Sequence, residues 1–309
     1  MTWLAFVAAF FKSLSTLSEK KILQDEDAGV YTSEISFVLA IVSLPLLFFV
    51  KNFTFDRFDL LIVYILSVFS IISSVTAAYV IKKLDVSESS ILFSMSPIFI
   101  SFLAVLFLKE TLSSIQIAGI LLSSFGLFVL EYHSSEPRGA TAIPAIAMPH
   151  SATKILIENN PISSRSYFIY IIFFISLIFF SITTVGDRYV IHTLSKDPIL
   201  YIVIVQFFVL FNFVILDIFF NKKLKRKIMD PKLLRKKLFW GNILFLTMHR
   251  LTHMFAVQAM QISVLNAVKQ LAAVMSTIIG GKLFTEKNLI RRTAACLCVV
   301  GGVILVLIF

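Results

Sequence analysis

Ten long apolar runs divide the chain, and each is close to the roughly 20 residues that an α-helix needs to cross a hydrocarbon core of about 30 Å. They lie near residues 2–19, 30–50, 58–81, 86–108, 112–130, 167–187, 198–220, 238–259, 263–284 and 291–309. A backbone polar group facing lipid has no water to bond, so such runs must be helical. The sequence therefore predicts an all-α, polytopic membrane protein with about ten transmembrane helices.

The composition supports lipid as the environment. Hydrophobic residues make up 58% of the 309 residues and charged residues 15%, whereas soluble domains carry about 25% charged residues. The net charge of +10 would suggest a nucleic-acid partner in a soluble protein, but here the basic residues lie mostly between the apolar runs. Basic residues in that position are typical of loops near lipid headgroups. We therefore expect a lipid bilayer as partner and no nucleic acid.

Neither a cofactor nor an enzymatic site is predicted. Cys296 and Cys298, the two cysteines, are two residues apart in the last run and do not share a helix face, which gives neither a disulfide framework nor a metal site. No H-E-x-x-H or G-x-S-x-G motif occurs, and no G-x-x-x-x-G-K-[ST] phosphate-binding loop. The sequence thus disfavours an intramembrane enzyme and excludes an ATP-driven pump.

The chain divides into two halves of five runs, residues 1–130 and 167–309, joined by a proline-containing linker over 131–166. Because five is odd, related halves must have opposite orientations in the membrane, as in many carriers. A shift of 168 residues pairs Glu19-Lys20 with Asp187-Arg188 at the ends of the first and sixth runs. A shift of 176 pairs Thr76 with Thr252, Ser87 with Ser263, Glu110 with Glu286, Ala118 with Ala294, Leu121 with Leu297, and Gly126 with Gly302. The sequence therefore predicts two inverted five-helix repeats.

One pattern occurs in both halves: an apolar helix, a glutamate at its end and a glycine-bearing final helix. In the first half it comprises Ser96-Pro97, the run to Leu108, Lys109-Glu110, Gln116, Gly119 and Gly126. In the second it comprises Asn266, Lys269, Gly280-Gly281, Phe284-Thr285-Glu286, Arg291-Arg292 and Gly301-Gly302. With this length and helix number, the chain resembles the ten-helix EamA-like proteins of the drug/metabolite transporter superfamily. The resemblance implies a monomer-sized carrier with a central cavity lined by the first four helices of each half.

Polar residues inside the predicted spans are candidates for the cavity wall, because a charge at mid-bilayer costs a few kcal/mol and usually serves a function. One helical stripe of the ninth span carries Asn266, Lys269 and Gln270. The predicted substrate-binding or coupling residues are Lys12, Thr16, Glu34, His249, Arg250, His253, Asn266, Lys269 and Gln270. A structural role is the alternative for each of them; Lys12 and Glu34, for example, could form an ion pair with each other.

Three of these side chains are cationic, Lys12, Arg250 and Lys269, against one clear anion, Glu34. Coulomb attraction in such a cavity favours a carboxylate- or phosphate-bearing solute. His249 and His253 have the i, i+4 spacing of a metal pair, but no cysteine or carboxylate in their span accompanies them. Proton coupling and plain cavity lining are the other two interpretations of this pair.

Two indications of orientation disagree. Assigning the loops alternately places 20 Lys and Arg on one side, nine of them between Lys222 and Lys237. The other side has five, Lys51, Arg57, Lys109, Arg188 and Lys196. The charge count puts the crowded side in the cytoplasm and both termini outside, whereas the family resemblance implies both termini inside. We favour the charge count, because nine basic residues in one short loop are hard to translocate.

The leading functional hypothesis is a secondary active transporter that moves a small polar metabolite by alternating access. A membrane channel and a non-transporting membrane scaffold are the alternatives. We expect a monomer or homodimer in the cell membrane (inner or plasma membrane), with the basic loop between Lys222 and Lys237 on anionic headgroups.

Overall fold

The computed structural model describes residues 2–23, 26, 28–50, 53–83, 95–132, 164–220, 231–275, 279 and 289–308. Within these ranges the ordered elements are helices, and no strand is present. The ten helices that match the predicted spans are α1 (Trp3–Leu23), α2 (Ala28–Ser43), α3 (Arg57–Lys83), α4 (Ser96–Leu108), α5 (Ser114–Tyr132), α6 (Ser164–Arg188), α7 (Pro198–Phe220), α8 (Lys237–Ala259), α9 (Ile262–Lys269) and α10 (Leu289–Ile308). The all-α fold class is confirmed.

Three helices differ in detail from the predicted runs. After α2 the chain continues as a 3₁₀ helix over Leu44–Phe49, which has a proline in its first turn. After α6 it continues as a π-helical turn over Tyr189–Thr193. α9 ends at a turn at Gln270, and helix resumes over 271–275. Four segments are long and apolar enough to cross a membrane, Tyr31–Phe49, Arg57–Ser74, Ile171–Thr193 and Pro198–Ile215, and the remaining apolar helices are shorter.

The last helices of the two halves, α5 and α10, pack closely along their glycines. A Cβ atom added to Gly302 would lie 2.5 Å from the Gly119 carbonyl oxygen and 2.5 Å from the Ser123 nitrogen. The backbones can therefore approach this closely only because the side chain is absent, which is the usual way that helices associate in lipid.

The other extensive interfaces are between α1 and α8 and between α3 and α6. His249 contacts the carbonyl of Ala8, and Ser15 donates to Asn242. Residue numbers that increase along α1, from Ala8 to Ser15, are matched by residue numbers that decrease along α8, from His249 to Asn242. These two helices are therefore antiparallel. The pair α3 and α6 is also antiparallel, since Leu66 lies against Gly186 while Ser73 and Ser176 exchange hydrogen bonds. If the two halves are equivalent, α1 corresponds to α6 and α3 to α8, so the two interfaces are equivalent as well. The inverted repeat itself stays a prediction.

Candidate functional site

A cluster of charged and imidazole side chains lies between helices of both halves. It comprises Lys12 from α1, Asp187 from α6, Lys269 from α9, and His249, Arg250 and His253 from α8. Lys269 interacts electrostatically with Lys12 and with Asp187. The two histidines interact electrostatically with Lys269 as well. Five of the nine predicted site residues are therefore brought together around Lys269 and the middle of α8.

The two lysines of the cluster have no counter-ion in direct contact. Among the residues that the structure describes, neither Lys12 nor Lys269 forms a hydrogen bond or an ion pair, and Lys12 is not paired with Glu34. Both nevertheless keep some solvent-accessible surface inside the bundle. The result is a pair of like charges from different halves of the chain, both half-buried and neither in direct contact with a protein anion among the described residues.

The histidine rings stack with their centroids 5.7 Å apart. His249 donates its Nδ1 hydrogen to the Ala8 carbonyl at 2.8 Å, which attaches the ring to α1. His253 is 6% exposed and its Nδ1 has no hydrogen-bond partner. No group of three metal-ligating side chains occurs among the described residues. The pair therefore contains one buried ring nitrogen, His253 Nδ1, that has no hydrogen-bond partner among the described residues.

Arg250 is held differently from the lysines. With its amide oriented toward the guanidinium, Gln206 accepts hydrogen bonds from Nε at 3.2 Å and from a terminal nitrogen. Asp187 and Tyr201 also interact electrostatically with Arg250, and the Tyr201 hydroxyl donates to Asp187 Oδ1 at 2.5 Å. A small cleft of about 10 Å³ between α2, α7 and α8 lies beside this group. Arg250 thus belongs to a compact polar network in which its charge is offset.

Asp187 and Arg188 are the last two residues of α6, as the sequence predicted, and the helical path continues beyond them as a π-helical turn over Tyr189–Thr193. The apolar segment long enough to cross a membrane extends over Ile171–Thr193. Arg188 is buried and Asp187 half-buried, so Asp187 is an anion of the cluster that was not among the predicted site residues. The apolar residues that follow, Tyr189 to Ile191, are the signal that could have indicated it.

Arg188 and Glu110 seal the bundle at the C-terminal end of α8. The Arg188 guanidinium donates to the carbonyl of Val257 and lies 3.9 Å from the Glu110 carboxylate. Glu110 also accepts from the backbone nitrogens of Ile262 and Ser263 at 2.8 and 3.3 Å, and from the Ser263 hydroxyl at 2.8 Å. A carboxylate from the connection between α4 and α5 thus caps the N-terminus of α9, where backbone donors and the helix dipole favour a negative charge. Its counterpart Glu286 lies outside the described residues.

A separate polar network lies at the N-terminal end of α8. Ser15 donates to Asn242 Oδ1 at 2.9 Å, and Asn242 Nδ2 donates to the Tyr31 hydroxyl at 2.5 Å. Tyr31 also interacts electrostatically with Glu19. Lys236 pairs with Glu26 at 2.8 Å at the same end. Sequence reasoning did not single out Tyr31 or Asn242, since neither is charged.

The other four predicted site residues lie outside the charged cluster. Thr16 is exposed and bonds the Lys12 carbonyl one turn back at 2.9 Å. Glu34 is buried in α2, at 2% exposure. Asn266 bonds the Ile262 carbonyl of its own helix at 2.9 Å, and Gln270 donates to Ser124 of α5 at 3.1 Å. The predicted stripe on α9 thus contributes Lys269 to the cluster, while its amides bond other backbone and side-chain groups.

Long apolar helices with charges held between them define an α-helical integral membrane protein. Residues 1–132 match the model of the EamA-like transporter family, which confirms the resemblance seen in the sequence. This family of the drug/metabolite transporter superfamily consists of membrane transporters rather than enzymes.

A solved crystal structure, described only as that of a protein, has a similar fold. The TM-score is 0.69 at 14% identity, with 99% of this chain and 98% of that chain covered. At this identity the likeness shows the fold alone. No curated protein matches the sequence.

Proposed function

We propose that this protein is a secondary active transporter that carries a small polar anion, bearing a carboxylate or a phosphate, by alternating access. The observation that carries the proposal is the pair Lys12 and Lys269, one ammonium group from each half, without a hydrogen-bonding or ion-pairing partner among the described residues. Two like charges in a site of low dielectric repel each other and are costly to bury. An anionic solute that binds between them removes that cost.

The surrounding groups support the same substrate class. His253 interacts electrostatically with Lys269, and its Nδ1 is buried without a partner among the described residues, so a change of conformation that exposes it would provide a hydrogen bond to a solute oxygen. Asp187 is hydrogen-bonded to Tyr201 and partly offsets both Lys269 and Arg250, so one carboxylate faces the three cations of the cluster, Lys12, Arg250 and Lys269. We further propose that residues 1–130 and 167–309 act as the two moving halves, because each supplies one of these lysines.

A thermal-shift screen of the purified protein tests the substrate class. The probes are inorganic phosphate, succinate, glucose 6-phosphate, an uncharged sugar and the cation spermidine. Ligand binding stabilises the native state by mass action, so we expect a higher melting temperature with one or more of the anions. A shift with spermidine alone would contradict the proposal.

Substitution of the site lysine provides the matched test. We expect Lys269→Gln to abolish the anion-induced shift and to lower anion uptake into proteoliposomes by tenfold or more. Lys21→Gln makes the same chemical change at an exposed position of α1 and should leave both measurements unchanged. Saturable uptake with counterflow supports a carrier. Unsaturable conductance would indicate a channel, and the absence of any flux a scaffold.

We also propose a location and assembly for the protein: a monomer or homodimer in the cell membrane, with the basic loop between Lys222 and Lys237 bound to anionic headgroups. Nine basic residues over this short stretch support the contact. Binding of the protein in nanodiscs to the soluble headgroup inositol hexakisphosphate, with and without substitution of the loop lysines, measures it.

A further inference from the structure

Two acid–tyrosine pairs occupy equivalent places in the two halves. Tyr31 is the fourth residue of α2, and Tyr201 is the fourth residue of α7. Tyr201 donates to Asp187, near the end of the preceding helix. Tyr31 is joined to the preceding helix through Asn242 and Ser15, and Glu19, one turn after Ser15, acts on it at longer range through its charge. Each pair therefore lies near the connection between the first two helices of its half, α1 and α2 or α6 and α7.

The two pairs lie toward opposite ends of the bundle. Tyr31 bonds Asn242 near the start of α8, whereas Arg188, next to Asp187, bonds Val257 near its end. Fifteen residues of helix separate Asn242 from Val257, which corresponds to roughly 22 Å at 1.5 Å per residue. A solute at the Lys12–Lys269 pair would therefore have one acid–tyrosine pair on either side of it.

The pairs are in different states in this structure. Both tyrosines are buried, at 0% exposure for Tyr201 and 3% for Tyr31, but only Tyr201 donates to its acidic partner, Asp187. The Tyr31 hydroxyl instead accepts from Asn242, and among the described residues it makes no hydrogen bond to Glu19. The Tyr31 O–H therefore has no hydrogen-bond acceptor in the part of the chain that the structure describes. The half-buried Glu19 carboxylate can become that acceptor.

The exposure along α1 agrees with this asymmetry. Lys12, Thr16 and Glu19 share one face of the helix, because they are spaced by four and three residues. Thr16 is exposed and the other two are half-buried. At the other end, Tyr201, Ile202 and Gln206 are all buried. The α1 face from Lys12 to Glu19 is therefore partly accessible, whereas Tyr201, Ile202 and Gln206 are inaccessible beside Asp187, which is itself half-buried.

We infer that Asp187–Tyr201 and Glu19–Tyr31 are reciprocal gates of the transport cycle: one pair is hydrogen-bonded while the other is apart, and the two exchange states as the site changes sides. The inference rests on the proposed transport function. In this structure the Asp187–Tyr201 gate is closed and the Glu19–Tyr31 gate is open. Neither tyrosine needs to contact the solute, so both are positioning residues.

Thiol labelling measures the two gates separately. The background carries Cys296→Ser and Cys298→Ser, and each reporter is a single cysteine, Ile202→Cys beside Tyr201 or Thr16→Cys beside Glu19. Full-length protein in nanodiscs is labelled with a membrane-impermeant maleimide, to which both faces of a nanodisc are accessible. No substrate is required.

Tyr201→Phe removes the hydroxyl that closes one gate. We expect labelling of Ile202→Cys to rise about tenfold, which corresponds to about 1.4 kcal/mol, and labelling of Thr16→Cys to fall. Tyr31→Phe removes the hydroxyl that closes the other gate, so Ile202→Cys should stay protected and labelling of Thr16→Cys should rise. Asp187→Asn, which keeps the shape of the acid but weakens the acceptor, should act like Tyr201→Phe.

Variants are compared only after their melting temperatures show that they are folded. Unchanged protection of Ile202→Cys in both Tyr201→Phe and Asp187→Asn would overturn the inference. An equal change in the labelling of both reporters, in the same direction, would also overturn the inference. The inference requires that one gate opens when the other closes. Reciprocal labelling without saturable flux of any anion would support the gates and contradict the proposed function.

Discussion

Two half-buried lysines that repel each other, Lys12 and Lys269, set the chemistry of this molecule. Neither has a counter-ion in direct contact among the described residues. A protein optimised only for stability would not keep them, and stability sacrificed at a site is a common sign of function.

This repulsion makes a prediction that separates function from stability. Lys269→Gln should raise the unfolding free energy of the ligand-free protein by about 1 kcal/mol, the low end of the gain seen when buried charges are replaced. It should also remove the stabilisation by anions. Thermal unfolding with and without each anion measures both effects. A destabilised ligand-free variant would mean that Lys269 has a structural partner.

Glu110 is predicted to be structural. Glu110→Gln removes the charge that Arg188 faces and weakens three hydrogen bonds to α9, so we expect a loss of about 1–3 kcal/mol in unfolding free energy. Glu26→Gln is the control, because the half-exposed Glu26–Lys236 pair should contribute less than about 1 kcal/mol. Denaturant titration in detergent compares the two. Equal losses would refute the assignment of Glu110 as a helix cap.

The charged residues of the site could be predicted from sequence because a charge within an apolar run is conspicuous. Tyr201, Tyr31 and Asn242 could not, since uncharged polar side chains are common in membrane helices and their importance depends on which neighbour they meet. Asn266 and Gln270 show the opposite outcome: the helical spacing predicted them as site residues, but they lie outside the charged cluster. They share the Lys269 stripe in sequence, yet one bonds its own helix and the other bonds α5.

At the scale of the helices, the fold depends on close approach where side chains are smallest. Gly301 and Gly302 are adjacent in α10, but a Cβ on Gly302 would meet backbone atoms of α5 while one on Gly301 would meet nothing within 4 Å. The sequence shows two glycines; only the packing distinguishes them.

These glycines provide a matched pair of substitutions. Gly302→Ala should destabilise the protein by about 1–3 kcal/mol, the usual cost of forcing an extra carbon into a packed interface. Gly301→Ala should be neutral or stabilising by up to about 1 kcal/mol, because alanine is the better helix former. Melting temperatures of the two variants test this. Equal effects would contradict the α5–α10 packing described above.

The length of α6 shows what sequence could and could not fix at this scale. An apolar run interrupted by Asp187-Arg188 was expected to end there, as loops usually carry the charges. In the structure Tyr201 forms a hydrogen bond with Asp187, and Glu110 forms an ion pair with Arg188. Because both charges have partners, the helical path can continue. The end of a membrane helix thus depends on partners from other helices, which lie far away in sequence.

For the whole molecule, the burial of Arg188 sharpens the charge asymmetry. With Arg188 inside the bundle, the sparse side keeps four of its five basic residues, Lys51, Arg57, Lys109 and Lys196. The crowded side keeps 20. We therefore predict that both termini are outside. A reporter enzyme that is active only outside the cytoplasm should be active when fused to the C-terminus. If a reporter that is active only in the cytoplasm is active there instead, the orientation is the opposite one.

The interfaces of the bundle also bear on the proposed cycle. α1 pairs with α8 and α3 pairs with α6, so each half is attached to the other through the helices that carry the site. Movement of one half against the other would therefore change the distance between groups such as Lys12 and Lys269. This arrangement allows substrate binding and conformational change to be coupled without any further element.

Counterflow in proteoliposomes tests the central claim most directly. Vesicles loaded with an unlabelled anion from the thermal-shift screen are diluted into the same anion carrying a radiolabel. We predict transient, saturable accumulation of label that Lys269→Gln abolishes and Lys21→Gln preserves. Accumulation that is equal in all three proteins, or that occurs only with uncharged or cationic probes, would contradict an anion carrier built around these two lysines.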